Sequence, residues 1–259
     1  MAIVTTEDRG AVRHVVLNRP EKRNAMNDEL IAGVREALSA AAADDAVRVV
    51  VVRGAGAMFS SGMDHGSLGG LAADPGSLRV MRRAILDTWN LAEEMPKPVI
   101  AQIHGACLGG ALELALACDL RVMAADAVTG LVETRVGLVP DVGGSSRLPA
   151  IVGLGRAKEL ILASKVIDGT EAERIGLVNR VCAAEDLDAT TQQLADELLA
   201  CAPIAVGLAK RILDSAAKPA LAASLELEVT AQQLCASSED FGEAIRAFVE
   251  KRQAEFSGR

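Results

Sequence analysis

The sequence predicts an α/β protein, and three observations predict it. Runs of β-branched residues recur early in the chain, stretches of helical periodicity separate them, and from Glu185 onward the helical pattern is almost unbroken. Strands alternating with helices need crossover connections, which stack helices against a sheet. Taken in order, Ile3 to Thr6, Val12 to Leu17, Val47 to Val52 and Val99 to Ile103 read as strands. Asn27 is placed to cap a helix running to about Ala43, with Asp28 and Glu29 in its first turn. A second helix is predicted from Leu78 to about Met95, stopped by Pro96 and Pro98. The Gly- and Ser-rich segment from Ala57 to Pro75 has no sustained period, and a loop of that length is usually functional. Beyond Glu185 the helices break near Pro203 and Pro219, and Ser238-Glu239-Asp240 caps a last amphipathic helix through Lys251. The predicted organisation is one main domain over residues 1–184 and a helical region over 185–259. That region can pack on a neighbouring subunit or cover its own core.

Composition excludes several function classes. Half of the 259 residues are hydrophobic, but only 2% are aromatic, with no Tyr and one Trp. The core must therefore be built from Ala, Val, Leu and Ile, and the aromatic platforms that stack single-stranded nucleic acid are scarce. A net charge of −8 argues against duplex DNA or an anionic membrane as partner, so an anionic ligand must be met by a local cluster of cations. The longest stretch free of Asp, Glu, Lys and Arg runs from Pro98 to Leu112, short of the roughly 18 residues that a membrane span needs. Cys107, Cys118, Cys182, Cys201 and Cys235 are odd in number and form no C-x-x-C pair, so reduced thiols are expected rather than disulfides or zinc. His14, His65 and His104 have no metal-ligand spacing and read as structural or surface residues. The opening residues lack a basic segment leading into an apolar one, so a soluble cytoplasmic protein is expected.

Three segments carry chemistry. Arg53-Gly54-Ala55-Gly56, continuing through Phe59-Ser60-Ser61-Gly62-Met63-Asp64, follows a strand, and its glycines free backbone N–H groups and admit a ligand closely. No G-x-G-x-x-G leads from it into a helix, so a dinucleotide fingerprint fits poorly. Gly109-Gly110 opens an Ala- and Leu-rich helix whose first N–H groups face whatever lies at that end. Glu113, three residues after Gly110, shares its face, although an acid in a first turn is also an ordinary dipole-stabilising choice. In the third segment Glu133 lies among Leu131, Val132 and Val136, and desolvation there disfavours its charged form, as suits a proton donor. Taken alone, a glutamate so placed is more often a salt-bridge partner of a nearby arginine, here Arg135 or Arg147. Asp141 and the Gly143-Gly144 pair follow, at the start of another helix. Cys107, Cys118, Asp119 and Trp89 read as packing or hydrogen-bonding residues.

In this order, the segments resemble the crotonase superfamily, the enoyl-CoA hydratase/isomerase family. The likeness begins at Leu17-Asn18-Arg19-Pro20, takes in Phe59 to Asp64 and Gly109 to Asp119, and ends with Phe248-Val249-Glu250-Lys251-Arg252. It implies a spiral of repeated ββα units with a helical C-terminal trimerisation region, and a homotrimer or homohexamer. It also implies an oxyanion hole formed by the N–H groups of Met63 and Gly110, with Glu113 and Glu133 as the catalytic pair, twenty residues apart. The implied reaction is addition of water to a 2-trans-enoyl-CoA, with Glu113 activating the water and Glu133 protonating Cα. Arg23, Ala25, Ser61, Asp64 and Lys251 are the implied CoA contacts. The likeness implies no metal and no separate cofactor, since CoA is part of the substrate.

Two departures open an alternative. Many hydratases have Phe and Pro ahead of the second glutamate, where this chain has Thr129 and Val132. Asp141 stands eight residues after Glu133, where a typical hydratase has Gly. An acid there resembles the dienoyl-CoA isomerases, which makes a double-bond isomerase using Glu133 and Asp141 the nearest rival. Asp141 also reads as a cap for the Gly143-Gly144 helix. An idle or RNA-binding relative is the distant alternative, opposed by the acidic balance and the few aromatics.

Overall fold

The computed structural model describes residues 2–64, 66 and 78–258. His65 and residues 67–75, to which part of the loop reading applies, lie outside the described residues. A six-stranded sheet runs in the order β1 (Val4–Arg9), β2 (Val12–Leu17), β3 (Val49–Gly54), β4 (Val99–Ile103), β6 (Leu120–Ala124), β9 (Arg180–Cys182). Only β1 and β2 pair antiparallel, and every later pair in this sheet is parallel. A second sheet holds β5 (Ala106–Leu108), β7 (Val128–Gly130) and β8 (Ile167–Asp168).

The two sheets explain the spiral. β4 ends in the large sheet, the chain turns at Gly105 (φ 61°), and β5 enters the small one before the helix α3 (Gly110–Ala117). β6 and β7 repeat the move one layer on, and β3 makes its counterpart through Ser60, which bridges to Cys107 beside β5. Each unit thus leaves its second strand, and the loop after it, at the same edge.

The strands read from sequence are present, β2 and β4 with the expected ends and β1 and β3 with ends shifted by one to three residues. Val49 to Val52 are all buried because helices cover both faces of β3, and each such side chain contributes about 1.5–3 kcal/mol. α1 (Asp28–Ala43) starts where Asn27 accepts a hydrogen bond from Leu30 N–H at 3.0 Å, and it buries Leu30, Ile31, Val34 and Leu38 on one stripe. α2 (Leu78–Glu94) packs on α1 through Ile85, Leu86 and Trp89, but the same face also carries Arg82 and Glu93. α4 (Gly144–Val152), α5 (Leu154–Leu162) and α6 (Gly169–Arg174) follow the small sheet. The C-terminal helices are α7 (Leu187–Leu199), α8 (Pro203–Ala217), α9 (Leu221–Ala236) and α10 (Glu239–Glu250). α9 lies on α4 and α2 of its own chain, so this part of the tail covers its own core. Cys107 and Cys118 are buried and free, and burial raises both thiols, that of Cys118 to about 12. Asp119 accepts from Val99 N–H at 2.7 Å and pairs with Lys210 at 2.8 Å, a structural tie. Among the described residues no helix is long and apolar enough to cross a membrane.

Candidate active site

The first wall of the site is a backbone feature. Residues 62–64 run beside Met26 as a short parallel bridge, in which Met26 N–H donates to Gly62 O (2.8 Å) and Asp64 N–H donates to Met26 O (3.0 Å). Alternate amides of an extended chain face opposite sides, so the N–H of Met63 is turned away from that pairing. Asn24 holds the preceding loop: its Nδ2 donates to the carbonyls of Ala55 (2.9 Å), Met58 (2.9 Å) and Phe59 (3.1 Å). Gly110 is the first residue of α3, a position whose N–H has no intrahelical acceptor. Among the described residues neither the Met63 nor the Gly110 amide is taken by a turn, loop or cap carbonyl. The two segments are in contact, since a Cβ on Gly62 would sit 3.8 Å from Gly110 N, and one on Gly110 would sit 3.3 Å from Met63 Cγ.

The second wall is acidic. Glu113 is buried one turn into α3, and its Oε1 accepts from the N–H groups of Val142 (3.0 Å) and Gly144 (2.8 Å). It therefore serves the start of α4 rather than the dipole of its own helix. Burial raises its carboxyl well above the ordinary range, helped by the charges of Glu133, Asp141 and Glu228, while the Gly144 amide pulls the other way. Glu133 opens a single 3-10 turn, Glu133–Val136, and its enclosed Oε2 has no partner among the described residues. Desolvation pushes Glu133 up to about 7. It pairs with neither Arg135 nor Arg147; Arg147 turns to Glu93 instead, at 2.7 Å.

Asp141 does not cap α4, whose cap is Gly143 without a side-chain bond. Its carboxyl faces Arg82 (Nε to Oδ2, 3.6 Å) and accepts from Gln232 Nε2 at 3.3 Å. Burial raises it to about 7, against the pull of Arg82 and with the push of Glu228 and Glu133. Glu113, Glu133 and Asp141 line one small cavity of about 50 Å³ together with Met63, Met81, Arg82, Leu138 and Gln232. Larger concavities lie elsewhere, the first between α8 and the Leu116–Arg121 segment, but they hold none of these acids.

Of the residues expected to meet CoA, four are gathered around the Met26–Met63 bridge. Ser61 N–H donates to Arg23 O (3.0 Å), Ala25 O accepts from Arg19 Nη1 (3.0 Å), and Asp64 pairs with Arg19 at 2.7 Å. Arg23 is exposed there, with a left-handed backbone (φ 55°). Lys251 is exposed at the C-terminal cap of α10, on a different element. Arg82, Glu228 and Gln232 were not found from the sequence. A signal existed: Leu225, Glu228, Val229 and Gln232 share one buried helical face, and Arg82 shares another with Leu78, Ile85 and Trp89.

In comparison with known proteins, residues 7–259 match the family described as Enoyl-CoA hydratase/isomerase. The chain belongs to that family. A crotonyl-CoA hydratase of Syntrophomonas wolfei is 35% identical over 255 residues, covering 98% of this chain and 96% of the relative. The solved structure of an enoyl-CoA hydratase from Mycobacterium avium subsp. paratuberculosis superposes with a TM-score of 0.88 at 29% identity, covering 99% of each chain. A methylmalonyl-CoA decarboxylase structure superposes equally well (TM-score 0.88, 26% identity, 99% of each chain). The fold is the crotonase fold, and the protein is an enzyme of the enoyl-CoA hydratase/isomerase type. Within the family one backbone hosts several reactions, so the particular chemistry has to be argued from the acids.

Proposed function

We propose that this chain is an enoyl-CoA hydratase that adds water across the double bond of a 2-trans-enoyl-CoA. The observation that carries the reading is the pairing of buried Glu113 and half-buried Glu133 on one cavity, beside the amides of Met63 and Gly110 that no backbone carbonyl among the described residues takes. The kinship with a crotonyl-CoA hydratase supports it. The thioester oxygen would accept from the Met63 and Gly110 N–H groups, which stabilise the enolate that develops there; removing one such donor typically costs about 10²–10³ in rate. Glu113, Glu133 and Asp141 cannot all be ionised in so small a space, and the proton and the anion fall to different groups. Glu133, with an unpartnered oxygen, is suited to hold the proton and give it to Cα. Burial disfavours the charged form of Glu113 as well, but the two amides aimed at Oε1 favour its anion, and with its neighbours protonated it is the group assigned as base for the attacking water.

Arg23, Ala25, Ser61, Asp64 and Lys251 are proposed to meet the CoA moiety, and the helical region from 185 is proposed to build a trimer, alone or stacked as a hexamer. A second reading has its own observation. Asp141 faces the same cavity as Glu133 and is likewise raised to about 7, a state suited to shuttling a proton between carbons in a double-bond isomerase.

Purified protein mixed with crotonyl-CoA should remove the enone absorbance, and Glu113→Gln should slow this by about 10²–10⁴. The hydratase reading fails if no 2-enoyl-CoA is hydrated while a 3-enoyl or dienoyl thioester isomerises in Glu113→Gln but not in Asp141→Asn.

A further inference from the structure

The turn from Asp141 to Gly144 presents three successive amides. The outer two, Val142 and Gly144, donate to Glu113 Oε1, while the middle one, Gly143, donates to Glu228 Oε2 at 3.0 Å. Gly143 has φ 108°, a conformation that turns its N–H to the opposite side. Two carboxyl groups therefore grip one turn from two sides. Glu228 comes from α9, and its other oxygen accepts from Ser146 Oγ at 2.5 Å. Arg82, from α2, donates through Nε to Asp141 O (2.5 Å) and through Nη2 to Leu225 O, and its guanidinium lies 3.6 Å from Glu228 Oε2. One turn further along α9, Gln232 accepts from Val139 N–H at 2.9 Å. Both Arg82 and Glu228 are about 95% enclosed, where a cation or an anion is tolerated only when paired.

We propose that Arg82 and Glu228 are positioning residues of the acyl-CoA site, an ion pair between α2 and α9 that clamps the Asp141–Gly144 turn so that its amides stay aimed at Glu113 and the Asp141 carboxyl stays aimed at the cavity. The inference rests on the reading of Glu113 and Asp141 as members of that site. The charged and titratable groups facing Asp141 are Arg82 on α2, Glu113 on α3, Glu133 on the 3-10 turn, and Glu228 and Cys235 on α9. Arg82 is the one cation in this set, so the two halves of the clamp act on Asp141 with opposite sign.

The test uses the full chain and two readouts. In ¹³C-aspartate-labelled protein without substrate, the Asp141 carboxyl signal is identified by its loss in Asp141→Asn, and its titration midpoint is followed. Arg82→Met should raise that midpoint and Glu228→Gln should lower it, each by about one pH unit. With crotonyl-CoA, both variants should lose kcat by about 10²-fold, as a misaimed base does, with KM changed far less, and Arg82→Lys should recover part of the loss. Midpoints that move the same way or stay put in the folded variants would overturn the clamp, as would an unchanged kcat. If Arg82→Met does not fold, the downward shift in Glu228→Gln and the behaviour of Arg82→Lys decide the matter. A parent protein that hydrates nothing would refute the hydratase reading alone, since the NMR midpoints test the clamp without substrate.

Discussion

Gly109 and Gly144 stand where a methyl group would strike a carboxyl oxygen: a Cβ would meet Glu133 Oε1 at 2.9 Å in the first case and Glu113 Oε1 at 2.8 Å in the second. Gly109 also has φ 55° with ψ −129°, a backbone region closed to residues with a side chain at a cost of about 1–3 kcal/mol. Gly144→Ala should therefore leave a folded protein, because its backbone is helical, but should shift the Glu113 carboxyl and lower kcat by about 10²-fold; circular dichroism and turnover of crotonyl-CoA separate the two effects. Asp141 supplies a prediction on stability. Its carboxyl is raised from 3.8 to about 7 by burial, so the folded state holds the proton more tightly than the unfolded state does. Its favourable contribution is complete below the unfolded value and is lost as pH rises through about 7. Asp141→Asn, which cannot ionise, should melt close to the parent near pH 3.5 and progressively above it between pH 4 and 7, with a constant gap beyond. Each 1 kcal/mol gained should appear as about 2–4 °C in thermal scans.

The elements matter for how they hold loops still. Asn24 is fully buried in a left-handed conformation (φ 53°), and its side chain joins three carbonyls of the segment that leads to Met63. Its own backbone carbonyl accepts from Ser60 Oγ at 2.8 Å, which ties the segment after β3 to the turn before α1. Asn24→Ala would leave buried acceptors unsatisfied and should cost roughly 2–3 kcal/mol in urea unfolding. The same variant should weaken thioester turnover, because the Met63 amide is no longer held against α3. α9 plays the matching part on the other wall, where Leu225 and Val229 anchor it in the apolar interior while Glu228 and Gln232 reach the turn before α4.

At the scale of the molecule, the C-terminal helices have two faces. α9 is used by its own chain, whereas α8 exposes Ile204, Leu208, Ile212 and Leu213 at helical spacing. A contiguous apolar stripe of this kind is costly in water and marks an interaction surface. The proposed trimer gives it an occupant, and sedimentation should then report about three times the 26.9 kDa chain mass, or about six times if two trimers stack. Ile212→Glu should shift that equilibrium toward smaller species.

Strands β1 to β4, the Asn27 and Ser238 caps and the two Gly-Gly helix starts were legible in the sequence, because each depends on local periodicity, backbone freedom or a compact motif, whereas Glu113 and Glu133 were singled out as a pair by the resemblance. Strands β5 to β9 were not: four of them span only two or three residues, which carry no period, and the pairing of all five is supplied by neighbours distant in sequence. Whether Glu133 pairs with Arg147 was likewise undecidable from sequence alone. Only the folded chain sends Arg147 to Glu93 and leaves the glutamate oxygen without a partner. The role of Asp141 turned on the same kind of fact, because a carboxyl's environment is made by whatever long-range packing brings to it. Sequence by itself fixed the family and the acids available; the tertiary structure decided which acid is gripped by amides, which is left bare, and which faces an arginine from another helix. Hydrogen bonds and desolvation act over a few ångströms of space, and chain order specifies those ångströms only after folding.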